Sequence, residues 1–98
     1  MEEQQVMSIF QDSTDSLFRS ELIPEKIKID KDTVLLGKGS VLDSVAFITL
    51  FSEIEDRLMQ KTGSEVIIDY NQLHEFNTDK SVLRADILCE FILKRILK

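Results

Sequence analysis

The sequence predicts an all-α fold, a four-helix bundle with three longer helices, one short helix and a long first loop. Three observations support this prediction. Apolar residues recur at helical spacing in three segments of the chain. The single proline and two of the three glycines fall within residues 23–42, where they mark a loop. The hydrophobic content of 43% suits a globular core, and 98 residues fit a single domain over residues 1–98.

The first helix is predicted over residues 3–21. Its apolar stripe comprises Val6, Ile9, Phe10, Leu17 and Phe18. Residues 23–42 follow as the long connection, in which Ile27 and Ile29 alternate with charged residues as they do in a strand. Because no second clear strand is present to pair with this segment, we expect an extended loop whose isoleucines pack on the core.

The second helix is predicted from Asp43 or Ser44 to about Lys61. Asp43 is a typical N-cap, since its side chain can accept hydrogen bonds from the first backbone amides of the helix. Gly63 follows the predicted end, where a left-handed terminator is common. The helix therefore has a start signal and a stop signal, and apolar residues recur between them, namely Val45, Phe47, Ile48, Leu50, Phe51, Ile54 and Leu58.

Residues 64–80 form a second connection, and a short helix is plausible near Tyr70–Phe76. The last helix is predicted to start after Asp79 and to run to about Leu97. Its apolar residues keep helical spacing, namely Val82, Leu83, Ile87, Leu88, Phe91 and Ile92.

The charge balance limits the kinds of partner. There are 18 acidic and 12 basic residues, which give a net charge of −6. Such a field repels nucleic acid and favours partners with basic docking surfaces. No apolar run approaches the roughly 18 residues of a membrane span, so we expect no membrane insertion. The acidic start of the chain lacks the features of a signal peptide, and a cytoplasmic location is the default expectation.

Few side chains could support catalysis or metal binding. His74 is the only histidine and Cys89 the only cysteine, so the clustered ligands of a zinc site are missing and no metal site is expected. Cys89 lies among apolar residues of the last helix and is expected to be a core residue. A small hydrolase that uses Ser44 with His74 is an alternative, although no nucleophile-elbow sequence supports it.

The most informative stretch runs from Leu35 to Val45. A glycine-bearing loop leads into an acid and a serine, and an apolar helix follows. This order places the Ser44 hydroxyl at an exposed helix N-terminus, where an attached phosphodiester would meet backbone amides and the positive end of the helix dipole. A serine near a helix start is also an ordinary cap, so the local pattern alone leaves both interpretations open.

The stretch resembles the phosphopantetheine attachment region of acyl carrier proteins. The residues that carry the resemblance are Leu36, Gly37, Gly39, Leu42, Asp43 and Ser44, with Val45 in place of the usual leucine. In overall organisation the resemblance covers residues 3–96, and it is closer to free-standing carriers of specialised pathways than to the housekeeping fatty-acid carrier. It implies the four-helix acyl-carrier-type bundle.

The resemblance also implies a function. A phosphopantetheinyl transferase would attach 4'-phosphopantetheine from coenzyme A to Ser44, beside Asp43. The arm would carry an acyl thioester to acyl-loading and acyl-transferring enzymes or synthases of a lipid, polyketide or surface-polysaccharide pathway. The chain itself would be a monomer and not an enzyme. An unmodified carrier-like interaction module and a peptidyl carrier are the alternatives.

Two further sets of residues follow from the resemblance. Partner docking is expected at Leu42, Val45, Phe47, Ile48, Phe51, Glu53, Glu55 and Asp56. A cavity for the acyl chain is expected to be lined by Val45, Ile48, Ile54, Ile68, Leu73, Leu83 and Ile87. One of the phenylalanines Phe47 and Phe51 is expected to be an apolar docking contact, and the alternative is that both pack against the long loop.

Overall fold

The computed structural model describes residues 1–97, which form four helices and a two-stranded sheet. The elements in chain order are α1 (Glu3–Arg19), β1 (Val34–Gly37), α2 (Ser44–Thr62), α3 (Tyr70–Phe76), β2 (Val82–Arg84) and α4 (Ala85–Phe91), which continues as a turn of π-helix over Ile92–Ile96. The predicted helical architecture with a long first loop is confirmed. The small sheet was not predicted.

The core lies between α1, α2 and α4, and the apolar faces of these helices meet there. Its most deeply buried side chains include Val6, Phe10, Leu17, Leu50, Phe51, Ile54, Leu58, Leu88, Phe91 and Ile92. Two polar residues of α1, Ser13 and Thr14, are also buried, and the Ser13 hydroxyl donates to the carbonyl oxygen of Ile9 at 2.7 Å. That hydrogen bond removes the cost of burying an unpaired hydroxyl among apolar side chains.

Helix α2 has the two end signals that the sequence predicted. The Asp43 carboxylate accepts a hydrogen bond from the Ala46 amide at 2.8 Å, which confirms Asp43 as the N-cap. Gly63 ends the helix in the left-handed conformation, with φ of 72°, and its amide donates to the Met59 carbonyl oxygen at 2.8 Å. The two caps fix the ends of the longest helix, and Ser44 is its first residue.

The segment between α1 and α2 contains a strand at Val34–Gly37, which the prediction of an extended loop over residues 23–42 missed. The stretch around Ile27 and Ile29 is extended without strand pairing, as expected. Strand β1 pairs antiparallel with β2, with Leu36 opposite Leu83, Gly37 opposite Val82 and an irregularity between Val34 and Leu36. The last helix is correspondingly shorter than predicted and begins at Ala85. Val82 and Leu83 belong to the strand because backbone pairing with β1 supplies the hydrogen bonds that a helix would otherwise supply.

The first loop also supplies hydrogen-bond acceptors to α4. The Ala85 amide donates to the Thr33 carbonyl oxygen at 2.9 Å, and the Asp86 amide donates to the Lys31 carbonyl oxygen at 3.1 Å. The first amides of a helix have no partner inside it, so these two bonds satisfy groups that would otherwise be unpaired. The loop therefore stabilises the start of α4 as well as the sheet.

The Gln11 side chain holds the outer part of the loop against α1. Its Nε2 donates to the Ile27 carbonyl oxygen at 2.8 Å, and its Oε1 accepts from the Ile29 amide at 2.8 Å. Ile27 and Ile29 are half-buried and pack on the core. The expectation that these isoleucines pack on the core is confirmed, and the Gln11 side-chain amide holds their backbone in place.

Gly37 occupies a place in the sheet that no other residue fits without distortion. Its φ is 102°, and an added Cβ would lie 2.3 Å from the Ser81 carbonyl oxygen. The nearby Gly39 has a similar φ of 98°, but there an added Cβ would meet only a Val34 methyl group at 3.9 Å. Backbone strain from positive φ is therefore present at both glycines, whereas steric overlap of an added Cβ is present only at Gly37.

We expect Gly37→Ala to lower the free energy of unfolding by about 2–4 kcal/mol, because positive φ and the overlap with Ser81 both act. Gly39→Ala is the matched control, and only the strain of about 1 kcal/mol is expected there. Urea unfolding followed by circular dichroism measures both values. Equal losses in the two variants would contradict the close approach of the strands at Gly37.

Candidate functional site

Ser44 is the first residue of α2, and its side chain is exposed. Among residues 1–97 its hydroxyl makes no hydrogen bond, and the capping role belongs to Asp43. The amides of Ala46 and Phe47 already donate hydrogen bonds to Asp43, the first to its carboxylate and the second to its carbonyl oxygen at 2.9 Å. The hydroxyl is therefore open to an incoming group at the positive end of a helix of 19 residues.

The chain leading to Ser44 is held by a tight turn. The Ser40 amide donates to the Gly37 carbonyl oxygen at 3.1 Å, and the Ser40 hydroxyl donates to the Leu35 carbonyl oxygen at 2.9 Å. The same hydroxyl accepts from the Leu42 amide at 3.1 Å. Ser40 thereby fixes the path from β1 to α2, and it sets the position of the exposed Ser44.

The surface next to Ser44 is apolar. Val45 is 60% exposed and Ile48 is 58% exposed, and they lie three residues apart on one face of α2. The prediction that Val45 and Ile48 line an internal cavity is therefore wrong, because their side chains face solvent. Both fit the docking set, which needs exposed side chains, and Leu42 is half-buried beside them.

The prediction that Phe47 or Phe51 serves as an exposed docking contact is wrong. Both are buried, with 8% and 2% of their surface exposed, so neither is available as an exposed docking contact. Their ring centroids are 4.5 Å apart, and Tyr70 of α3 stacks on Phe51 at 5.2 Å with nearly parallel rings. Tyr70 is half-exposed. Partial burial raises the pKa of its phenol, and the negative charge of Glu55 raises it further. The three rings join α2 to α3.

Two of the three acidic residues in the predicted docking set, Glu53 and Glu55, already make polar contacts within the fold. Glu55 accepts a hydrogen bond from the Ile68 amide at 2.7 Å, and Glu53 forms an ion pair with Arg57 at 3.9 Å. Asp56 is exposed, and it lies about two helical turns beyond Ile48 on α2. The surface of α2 thus changes from apolar near Ser44 to acidic around Glu53 and Asp56, before the basic Arg57 and Lys61.

The remaining residues of the predicted cavity are packed in the core. Ile54, Ile68, Leu73 and Leu83 are buried, and Ile87 is half-buried. Five pockets in the described part of the chain are lined by other residues and not by these five. Their burial fits a role in packing, whether or not an acyl chain can enter among them.

A pocket of about 270 Å³ lies under the first loop, and part of its lining comes from Val41 and Leu42, just before Ser44 in the sequence. Its residues are Thr14, Ile27, Ile29, Asp32, Thr33, Val34, Leu35, Gly39, Val41 and Leu42. Sequence reasoning missed this pocket. The only signal for it was the alternation of Ile27 and Ile29 with charged residues, which places apolar side chains on one side of an extended segment.

The other candidate groups lie apart from this site. His74 is exposed on α3, and within residues 1–97 no hydrogen bond links its side chain to Ser44. No group of three or more possible metal ligands occurs in the described ranges. None of the helices described here is both long enough and apolar enough to cross a membrane.

Cys89 is buried in α4, as expected of a core residue. Burial makes the largest contribution to the raised pKa of its thiol, and the negative charges of Glu3 and Glu90 add to it. The pKa is about 11. At neutral pH the group is a protonated thiol, which is a poor nucleophile.

We expect folded protein to react with iodoacetamide at pH 8 roughly 100-fold more slowly than the urea-unfolded chain, because the thiolate fraction falls as the pKa rises and the thiol is shielded. Mass spectrometry of the alkylated protein over time measures both rates. Similar rates in the folded and unfolded chain would contradict the burial of Cys89.

Comparison with protein-family models, with curated proteins and with solved structures gives no significant match for this chain. Its function must therefore be inferred from Ser44 and the surfaces around it.

Proposed function

We propose that this chain is an acyl carrier protein that bears a phosphopantetheine arm on Ser44. The observation that carries the proposal is the Ser44 hydroxyl at the start of α2, which is exposed and makes no hydrogen bond within residues 1–97, beside the apolar surface of Val45 and Ile48. Asp43 supplies the cap that a serine at this place would commonly supply, so capping does not explain why a serine is present.

The surroundings of Ser44 fit a phosphodiester. The group would lie at the N-terminal end of a long helix, where the helix dipole favours negative charge. In the transfer reaction the Ser44 oxygen would attack the pantetheine-bearing phosphorus of coenzyme A. A new P–O bond forms, the bond to adenosine 3',5'-bisphosphate breaks, and the serine proton passes to a base of the transferase. The thiol at the end of the arm then supplies the site for an acyl thioester.

Partner enzymes would dock on the exposed face of α2. Val45 and Ile48 form the apolar part next to Ser44, and Asp56 supplies the exposed charge further along. Since Glu53 and Glu55 are engaged within the fold, apolar contacts contribute more to docking near Ser44 than ion pairs do. The carboxylates would serve mainly to attract a basic partner over longer distance.

Incubation with coenzyme A and a promiscuous phosphopantetheinyl transferase tests the modification. Intact-mass spectrometry is expected to show a gain of one phosphopantetheine group. Ser44→Ala is expected to abolish the gain, whereas Ser52→Ala, which changes another exposed serine of α2, should retain it. No mass gain, or a gain that persists in Ser44→Ala, would contradict the proposal and favour an unmodified interaction module.

Replacement of Ile48 by serine tests the docking surface. Ile48→Ser removes apolar contact area without opening a core cavity, and kcat/KM of the transferase is expected to fall about tenfold, equivalent to about 1.4 kcal/mol. Asp56→Asn is the matched polar control and should change kcat/KM less than twofold at 0.15 M salt, because an exposed ion pair contributes little. A larger loss in Asp56→Asn than in Ile48→Ser would show that docking is mainly electrostatic.

A further inference from the structure

We propose that Lys38 and Asp56 mark the two ends of one docking face, and that this face fits a partner with an apolar ridge, a carboxylate at the Lys38 end and a basic residue at the Asp56 end. The inference deepens the proposed function, on which it rests, by naming the chemistry of the partner surface. Between the two charged residues in the sequence the exposed large apolar side chains are Val41, Val45 and Ile48.

The part of the face on α2 follows from helix geometry. Val45, Ile48, Ser52 and Asp56 are three and four positions apart, which places them on one side of a helix. All four are exposed, while the opposite side of α2 is buried in the core. Asp56 lies about 16 Å beyond Val45 along the helix axis. The face therefore changes along one line from apolar to negative.

Lys38 supplies the opposite charge on the chain that enters α2. It is the only basic residue between residues 32 and 56. Its side chain is exposed, and among residues 1–97 its ammonium group makes no ion pair and no hydrogen bond. Such a cation, in a chain with a net charge of −6, is available to an anionic group of another molecule.

The backbone at Lys38 has a defined position. Gly37 pairs with β2, and its carbonyl oxygen accepts from the Ser40 amide at 3.1 Å, which closes a turn around Lys38. The Ser40 hydroxyl accepts from the Leu42 amide at 3.1 Å and so joins this turn to the start of α2. Lys38 precedes Ser44 by six residues, so their Cα atoms lie within about 20 Å of each other. A partner that contacts Ser44 can therefore reach Lys38 as well.

Asp56 is the available charge at the other end of the face. Glu53 and Glu55 already have partners within the fold. Within the described residues Asp56 has one polar side-chain contact, in which the neutral side-chain amide of Gln60 donates to its carboxylate at 3.5 Å, so its charge is not balanced. Opposite charges at the two ends give the face a direction, which contributes more to the orientation and choice of a partner than to affinity.

The size of the face favours a transient partner over a second copy of this chain. Three aliphatic side chains, each about half exposed, offer far less than the roughly 800 Å² that each side of a stable complex buries. A uniformly basic partner would place a like charge next to Lys38, which is unfavourable. The inferred partner therefore carries an apolar helix or ridge whose acidic end lies next to the turn at Lys38.

Two stapled helical peptides with the same apolar residues test the inference on the full chain without an arm. The first peptide has glutamates at one end and arginines at the other, and the second has lysines in place of the glutamates. NMR titration is expected to shift Val45 and Ile48 and to show that the first peptide binds about threefold more tightly at low salt. The difference should vanish at about 0.5 M salt, because the charges are then screened.

Charge reversal makes the assignment specific. Lys38→Glu is expected to invert the preference, so that the second peptide binds about threefold more tightly. Lys26→Glu, the same charge change at another exposed lysine of the first loop, should keep the original preference. A spin label on the glutamate end of the first peptide should broaden the amide resonances of Gly37 and Gly39 more than that of Asp56.

Several outcomes would overturn the inference: no binding of either peptide, equal affinities at low salt, an unchanged preference in Lys38→Glu, or stronger broadening at Asp56. Shifts at Val45 and Ile48 that follow protein concentration alone would identify a second copy as the occupant and would also overturn it. Because the peptides bind without the arm, these results are independent of attachment to Ser44. If no arm attaches but the peptides behave as expected, the carrier function fails and the docking face stands as that of an unmodified interaction module.

Discussion

The attachment of the first loop to the start of α4 is the interaction on which the rest of the structure depends. Strand β1 pairs with β2, and the carbonyl oxygens of Lys31 and Thr33 accept hydrogen bonds from the first amides of α4. A loop of this length would otherwise lose much of its conformational entropy for few contacts. Because a distant part of the chain satisfies backbone groups of the segment from Lys31 to Gly37, that segment is held in a defined position, and Leu35 is buried in the core.

That position determines the surroundings of Ser44. The turn at Gly37 and the hydrogen bonds of Ser40 direct the chain from the sheet into α2, so that the serine begins the helix with its side chain in solvent. The same path brings Val41 and Leu42 over the loop pocket. The fold thus places an exposed hydroxyl and an apolar helix face next to one another, which is the combination that supports the proposed carrier function.

The parts of the fold that local signals determine were predicted from the sequence. The Asp43 cap, the Gly63 terminator and the short helix Tyr70–Phe76 all lie where the sequence indicated, because caps and helical spacing are local properties. The sheet could not be predicted in this way. Residues 82–84 fit a helical pattern equally well, and only pairing with the distant β1 makes them a strand.

The candidate site was predicted only in part for a related reason. Apolar residues occur almost all round the first half of α2, so periodicity alone does not indicate which side faces the core. Tertiary packing decided that Phe47 and Phe51 point inward to Tyr70, while Val45 and Ile48 point outward. Ser44 and Asp43 were easier to place, since their positions follow from the start of the helix.

The close approach at Gly37 has a consequence for how such a chain can change over time. With 2.3 Å between an added Cβ and the Ser81 carbonyl oxygen, this position has essentially no permitted replacement. Ile27, Ile29 and Val41 are under no such restriction, because they are half-buried or exposed aliphatic residues at the pocket. Aliphatic exchanges at these positions would therefore alter the shape and depth of the pocket, while Gly37 keeps β1 paired with β2.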